Sequence, residues 1–173
     1  FDIISEAWVI HPDILPKSKW REQVDVLLEQ VGLQAEFSQR YPHQFSGGQR
    51  QRIAIARALA LKPQVIVCDE AVSSLDVSVQ AQVIKLLRKL KKELGLSYIF
   101  IAHDLPVVRD FADRVIVMNA GEIVEMDTVK NIFESPKKKY TQDLLAASLD
   151  PNPDIQAKRH KIRKEAQKRV VNR

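Results

Sequence analysis

Hydrophobic residues recur along this chain in two rhythms. Up to about Gln44 the rhythm is helical. Val24, Leu27, Leu28 and Val31 fall at i, i+3, i+4 and i+7, an amphipathic helix that Gly32 closes where a C-cap glycine is favoured. Pro12, Pro16 and Pro42 punctuate the loops around it. From Ser46 onward strand and helix alternate, which implies a parallel sheet with crossover helices. Residues 50–61 predict a helix that ends before Pro63, and residues 65–68 a β-branched strand buried on both faces. Residues 77–94 predict a long helix, with Val83, Leu86, Leu87, Leu90 and Leu94 at helical spacing. Residues 98–102 then give a second buried strand, 107–112 a short helix and 115–118 a third strand. Asn119-Ala120-Gly121 is a tight turn into residues 122–125, a hairpin at the sheet's margin. Two more helices follow, over 129–133 and 140–147. Asp150-Pro151-Asn152-Pro153 reads as a linker to a basic tail, solvated as a helix or disordered.

Composition narrows the class. Of 173 residues, 45% are hydrophobic and 28% charged, which fits a globular domain and excludes collagen, disorder and disulfide miniproteins. The longest stretch without Asp, Glu, Lys or Arg is ten residues, 94–103. That is about half of the ~20 apolar residues a membrane helix needs. The single cysteine, Cys68, forms no internal disulfide, four-cysteine zinc site or iron–sulfur cluster, and points to a reducing compartment. The chain begins at Phe1 without a signal-like segment and reads as part of a longer product. The net charge of +5 hints at an anionic partner, but residues 158–173 hold eight basic groups and one acid. The remainder of the chain carries −2. The tail reads as a solvated end, with contact to anionic lipid as the alternative.

Four short motifs carry candidate chemistry. In Phe45-Ser46-Gly47-Gly48-Gln49 a loop enters a helix. Paired glycines let backbone N–H groups approach an anion closely, and Ser46 adds a hydroxyl; an ordinary N-cap is the other reading. Residues 65–68 deliver two carboxylates, Asp69 and Glu70, to a strand's carboxyl end, where ligands bind in open α/β sheets. One acid suits a hard cation such as Mg²⁺ and the other can deprotonate a water, unless both are simply solvated. Ser73-Ser74-Leu75-Asp76 precedes the long helix, where Asp76 also serves as an N-cap. His103 follows the second strand, so it and the acids are expected to meet on one rim; taken alone, a strand-end His is more often a structural residue than a ligand contact.

In order and spacing these elements resemble the ATP-binding subunit of ATP-binding-cassette (ABC) transporters, over about residues 3–153. Residues 45–49, continuing through Arg50-Gln51-Arg52, look like the family's signature loop with Phe45 in place of Leu. Residues 65–70 look like the Walker B strand and catalytic glutamate, 73–76 like the D-loop, and His103 like the switch histidine. Ala71-Val72 stands where the family often has Pro-Thr. Arg40-Tyr41-Pro42-His43, residues 76–82 and residues 140–145 resemble the dipeptide, oligopeptide and nickel import subgroup. That subgroup's peptide importers commonly end in a cysteine-rich extension, where this chain has its basic tail. The resemblance implies an α/β fold, a partial P-loop NTPase with a mainly parallel sheet. It divides into a helical signature subdomain over 1–62, a core over 63–127, C-terminal helices over 128–153 and a tail over 154–173.

It also implies roles. Glu70 would be the general base, Asp69 would orient Mg²⁺ and His103 would contact the γ-phosphate of ATP. Ser46, Gly47, Gly48 and Gln49 would bind the ATP held by a partner subunit, and Asp76 would communicate across a head-to-tail dimer. Further implied partners are transmembrane permease subunits and, indirectly, an extracytoplasmic solute-binding protein. No specific nucleic acid is expected, and the site of action would be peripheral, at the cytoplasmic face of the cell membrane. A P-loop needs Gly-Lys-Ser/Thr, yet the five glycines precede Leu33, Gly48, Gln49, Leu96 and Glu122. The 173 residues are therefore expected to be inactive alone, as a piece of a longer ATPase. Two alternatives are a split or non-catalytic subunit completing a partner's site, and a DNA-repair or chromosome-type ABC ATPase. Against the latter, only 20 residues separate Gln49 from Asp69, without an inserted coiled coil.

Overall fold

A computed structural model describes residues 1–147, which fall into two compact units, Phe1–His103 and a second beginning at Asp104. The linker and basic tail expected from residue 150 onward lie outside the described residues.

The first unit starts with helices α1 (Asp2–Ile10) and α2 (Trp20–Gln30). Short 3-10 turns over Ala35–Gln39 and Pro42–Gln44 lead to α3 (Gly47–Leu59). The helical rhythm of the sequence supplies the core: Trp8, Val24, Leu28, Val31, Ala56 and Leu59 are all buried. Each fully buried side chain of this size contributes about 1.5–3 kcal/mol relative to exposure. The Trp8 indole spends its one donor on Ala60 O at 2.9 Å, so the polar atom of the largest core residue is satisfied. Gly32 ends α2 at φ +73°, and Arg52 of α3 donates to Val31 O at 2.9 Å over it.

Strand β1 (Val65–Asp69), helix α4 (Val77–Leu94) and strand β2 (Ser97–Ile101) form the expected βαβ crossover, paired in parallel from Val65↔Ser97 to Asp69↔Ile101. Helix α4 starts at Asp76, whose carboxylate accepts from Val79 N, and stops at Gly95 in the left-handed region at φ +66°. Its buried stripe is Val83, Ile84, Leu86, Leu87 and Leu90. Tyr98 Oη donates to Leu87 O at 3.2 Å, which lays one sheet face on the helix.

The expectation that both faces of these strands are buried is not met. Val65, Val67, Ile99 and Ile101 are 49%, 61%, 55% and 49% exposed. The physical reason is layering: α4 covers the Cys68 and Tyr98 side of this two-stranded sheet, and no other element of this unit covers its opposite face. A continuous apolar run has the composition of a doubly covered strand whether or not the second cover is present.

In the second unit, α5 (Leu105–Phe111) precedes β3 (Arg114–Asn119) and β4 (Glu122–Thr128). The two strands pair antiparallel from Arg114↔Thr128 to Asn119↔Glu122. Ala120 (φ +49°) and Gly121 (φ +84°) make the expected tight turn. The hairpin is a sheet of its own, rather than the margin of the parallel one, and β4 runs three residues past the expected end at 125. Thr128 caps α6 (Val129–Glu134). Glu125 of β4 accepts from Lys137 N and Lys138 N at 2.8 and 3.2 Å, tying the strand to the start of α7 (Lys139–Ala147).

Candidate functional site

All the residues singled out for chemistry lie in the first unit, in two clusters. The first sits at the carboxyl ends of the parallel strands. Asp69 is the last residue of β1, and Glu70 N donates to Ile101 O at 3.0 Å, carrying the ladder one step beyond the strands. Glu70 is left-handed at φ +45°, an uncommon conformation for a residue with a Cβ. Its carbonyl is held twice, by Ser73 N at 3.1 Å and Ser73 Oγ at 3.0 Å. The left-handed turn leaves the Glu70 carboxylate 3.2 Å from His103 Nδ1, with Oε1 the near oxygen. Both side chains are exposed, 59% for Glu70 and 70% for His103. The acids and the histidine therefore meet on one rim, as the strand ends predict.

With the carboxylate as acceptor, this contact is made by the tautomer that carries the proton on His103 Nδ1. A neutral ring in that tautomer keeps a lone pair on Nε2. Beneath the rim, burial pushes the Cys68 thiol up to about 11, which keeps it protonated at neutral pH. Tyr98 is likewise pushed up, to about 12, by burial and then by proximity to Cys68.

The second cluster joins the Gly-Gly turn to the start of α4. Ser46 is the N-cap of α3: its hydroxyl accepts from Gln49 N at 3.3 Å, and Gln49 Oε1 accepts from Ser46 N at 3.0 Å. This reciprocal capping box starts α3 at Gly47, three residues before the expected position. The bland reading of Ser46 as an N-cap is thus correct as a description of structure. Gly47 and Gly48 supply the first helical N–H groups, which have no partner within a helix. Leu75 and Val79, flanking Asp76, pack directly on the two glycines.

Ser73, Val79 and Arg52 lie within motifs the sequence marks, but their individual contacts were not foreseen. Ser73 had a signal, a hydroxyl three residues after an acid at a strand end. Val79 had none, since its contact depends on how two helices meet.

The donor chemistry fits Mg²⁺ and a phosphate. Asp69 and Glu70 present hard oxygen donors at an exposed strand end, and Mg²⁺ commonly takes one or two carboxylates with phosphate and water completing its shell. Among the described residues no group of three or more His, Cys, Asp or Glu side chains forms an all-protein metal cage. The glycine turn offers N–H donors to an anion.

Residues 4–73 match the ABC transporter family. The oligopeptide transport ATP-binding protein OppF of Bacillus subtilis is 50% identical over 158 residues, covering 91% of this chain and 52% of that protein. The dipeptide transport ATP-binding protein DppF of Haemophilus influenzae is 51% identical over 160 residues, 92% of this chain and 49% of that protein. A solved putative metal-chelate type ABC transporter in an inward-facing conformation superimposes with a TM-score of 0.68 at 30% identity, over 76% of this chain and 52% of that one. The chain spans about half the length of the curated relatives it matches. Residues 4–73 thus carry the ABC transporter domain, and over nine-tenths of its length the chain is about 50% identical to peptide-transport ATP-binding proteins.

Proposed function

We propose that these residues form part of an ATP-binding subunit that couples ATP hydrolysis to the import of peptides or a related small solute. The observation that carries the reading is the Glu70–His103 contact of 3.2 Å at the carboxyl ends of adjacent parallel strands, both groups open to a ligand. The peptide class rests on the oligopeptide and dipeptide transport proteins that this chain resembles.

In this reading Glu70 accepts the proton of the attacking water, and its left-handed backbone, pinned by Ser73, aims the carboxylate. Asp69 would hold and orient Mg²⁺. His103 holds Glu70 in place through Nδ1–H and meets the γ-phosphate when the nucleotide arrives. Bound Mg²⁺-ATP supplies the electrophilic phosphoryl group. Ser46, Gly47, Gly48 and Gln49 bind the nucleotide held by a second ATPase subunit. Asp76, one residue from Leu75 and three from Val79, carries the state of that contact to its own strand-end site.

The partners are that second subunit, paired head to tail, and membrane-embedded permeases. Among the described residues no helix is long and apolar enough to cross a membrane. Attachment at the cytoplasmic face would then run through the permeases. The test is solute-stimulated ATPase and peptide uptake by the complete subunit assembled with its permeases, with and without His103→Ala. Loss of turnover with nucleotide binding retained is expected; unchanged turnover refutes the site.

A further inference from the structure

The two glycines of the Ser46–Gln49 turn lack side chains for different reasons. Neither has a positive φ; the left-handed glycines are Gly32, Gly95 and Gly121. Both open α3, where glycine is about 1 kcal/mol less favourable than alanine in a helix interior. Backbone conformation therefore explains neither. Surroundings separate them. A Cβ on Gly47 would lie 3.4 Å from Leu75 Cδ2, at the near edge of ordinary contact, with a flexible side chain that can yield. A Cβ on Gly48 would overlap Val79 Cγ1, with Val79 Cβ and Cγ2 close behind at 3.8 and 3.9 Å.

Val79 is poorly able to retreat. Its β-branched side chain is stiff at χ1 on a helix. Its own N–H is fastened to the Asp76 carboxylate at 2.9 Å. Arg52 of α3 reaches α4 as well, donating to Gln82 Oε1 at 3.4 Å.

We infer that Gly48 is a packing glycine and that Val79 is the positioning residue that sets where the Ser46–Gln49 turn stands. Asp76 holds Val79 and Val79 holds Gly48, so a displacement of Asp76 reaches the turn through one side chain. Gly47 then carries the requirement for close ligand approach. This inference rests on the proposed reading that the turn meets a nucleotide phosphate.

The experiment measures kcat, KM for ATP and thermal midpoint in the complete subunit assembled with its permeases. The variants are Gly47→Ala, Gly48→Ala, Val79→Ala, Val79→Thr and the double variant Gly48→Ala/Val79→Ala. Gly48→Ala alone is expected to lower kcat/KM by roughly a hundredfold, the scale of a ~1 Å misplacement. Removing the obstructing methyl groups in the double variant restores most of that loss. Val79→Ala raises KM severalfold with kcat within about twofold, and the near-isosteric Val79→Thr returns KM to wild type.

A double variant as impaired as Gly48→Ala, with its thermal midpoint recovered, overturns the inference. So does a Val79→Ala variant with unchanged KM. Gly47→Ala separates the two layers of argument. An increase in its KM upholds the nucleotide reading even where the Gly48 rescue fails, and an unchanged KM removes the nucleotide reading and the inference together. If Gly48→Ala fails to fold, the Val79→Ala and Val79→Thr pair decides.

Discussion

Replacing Glu70 by glutamine separates what this side chain does for stability from what it does for turnover. The amide is isosteric with the carboxylate and can still accept from His103 Nδ1 across the 3.2 Å contact. Both partners are more than half exposed, 59% and 70%, so solvent screens their interaction. Exposed pairs of this kind contribute about 0.2–1 kcal/mol, and glutamine retains part of that. The left-handed turn is held through the Glu70 main chain by Ser73 and Ile101, which the substitution leaves alone. Stability should therefore change by less than about 1 kcal/mol. A general base contributes about 10²- to 10⁴-fold in rate, or about 3–5 kcal/mol of barrier at 1.36 kcal/mol per factor of ten. The ratio of these effects is diagnostic. In the complete subunit assembled with its permeases, Glu70→Gln should leave ATP affinity and the unfolding midpoint nearly unchanged while turnover falls by at least a hundredfold. Normal turnover in a folded, ATP-binding variant would refute the role. A loss of activity that tracked a loss of stability would make Glu70 a structural residue.

Three further outcomes follow from the geometry. Asp76→Ala removes the cap that accepts from Val79 N and should destabilise the protein by about 1 kcal/mol, with Asp76→Asn largely sparing it, as read by denaturant unfolding. Glu125 is held below its ordinary range by the Thr141 hydroxyl, then by the Lys137 and Lys138 backbone amides. Thr141 Oγ1 is buried and makes no hydrogen bond of good geometry, so the two amides are the firmer anchors. A depressed carboxylate stabilises the fold fully above its unfolded value of about 4.5, and this is lost as pH falls through the depressed value. Glu125→Gln should accordingly lower stability at pH 7 and flatten the acid limb of an unfolding-versus-pH curve. Cys68, with its thiol at about 11, is about one-thousandth thiolate at pH 8 and should react with a thiol reagent only as fast as the unit opens; rapid labelling of the folded protein would contradict its burial.

Much of this arrangement was legible in the sequence because local signals marked both ends of an element. Helix α4 runs from Val77 to Leu94 as expected, since Asp76 caps its start and Gly95 its end around an unbroken apolar stripe. The meeting of Glu70 and His103 was legible too, because both follow apolar runs that pair in parallel. Helix α3 starts three residues before and ends two residues before the bounds the sequence predicts: Gly47-Gly48 suggests a loop, although Ser46 and Gln49 have the spacing of a capping box that outweighs glycine's low propensity. The exposure of Val67 and Ile99 could not be read. A side chain's apolarity says what it prefers to touch, and only tertiary structure says whether something is there. Gly48 against Val79 lies beyond pattern reading for the same reason.

The uncovered strand faces bear on how these 173 residues behave in a test tube. A two-stranded sheet consists entirely of edges, and here each pair also presents apolar side chains to water: Val67 and Ile99 on one, Ile116, Met118, Ile123 and Met126 on the other. The chain's net +5 resides in residues 158–173, and the remainder, at −2, places little charge around these faces. Expressed alone, the polypeptide would be colloidally fragile, lighting up dyes that seek greasy surfaces and clumping as its concentration rises.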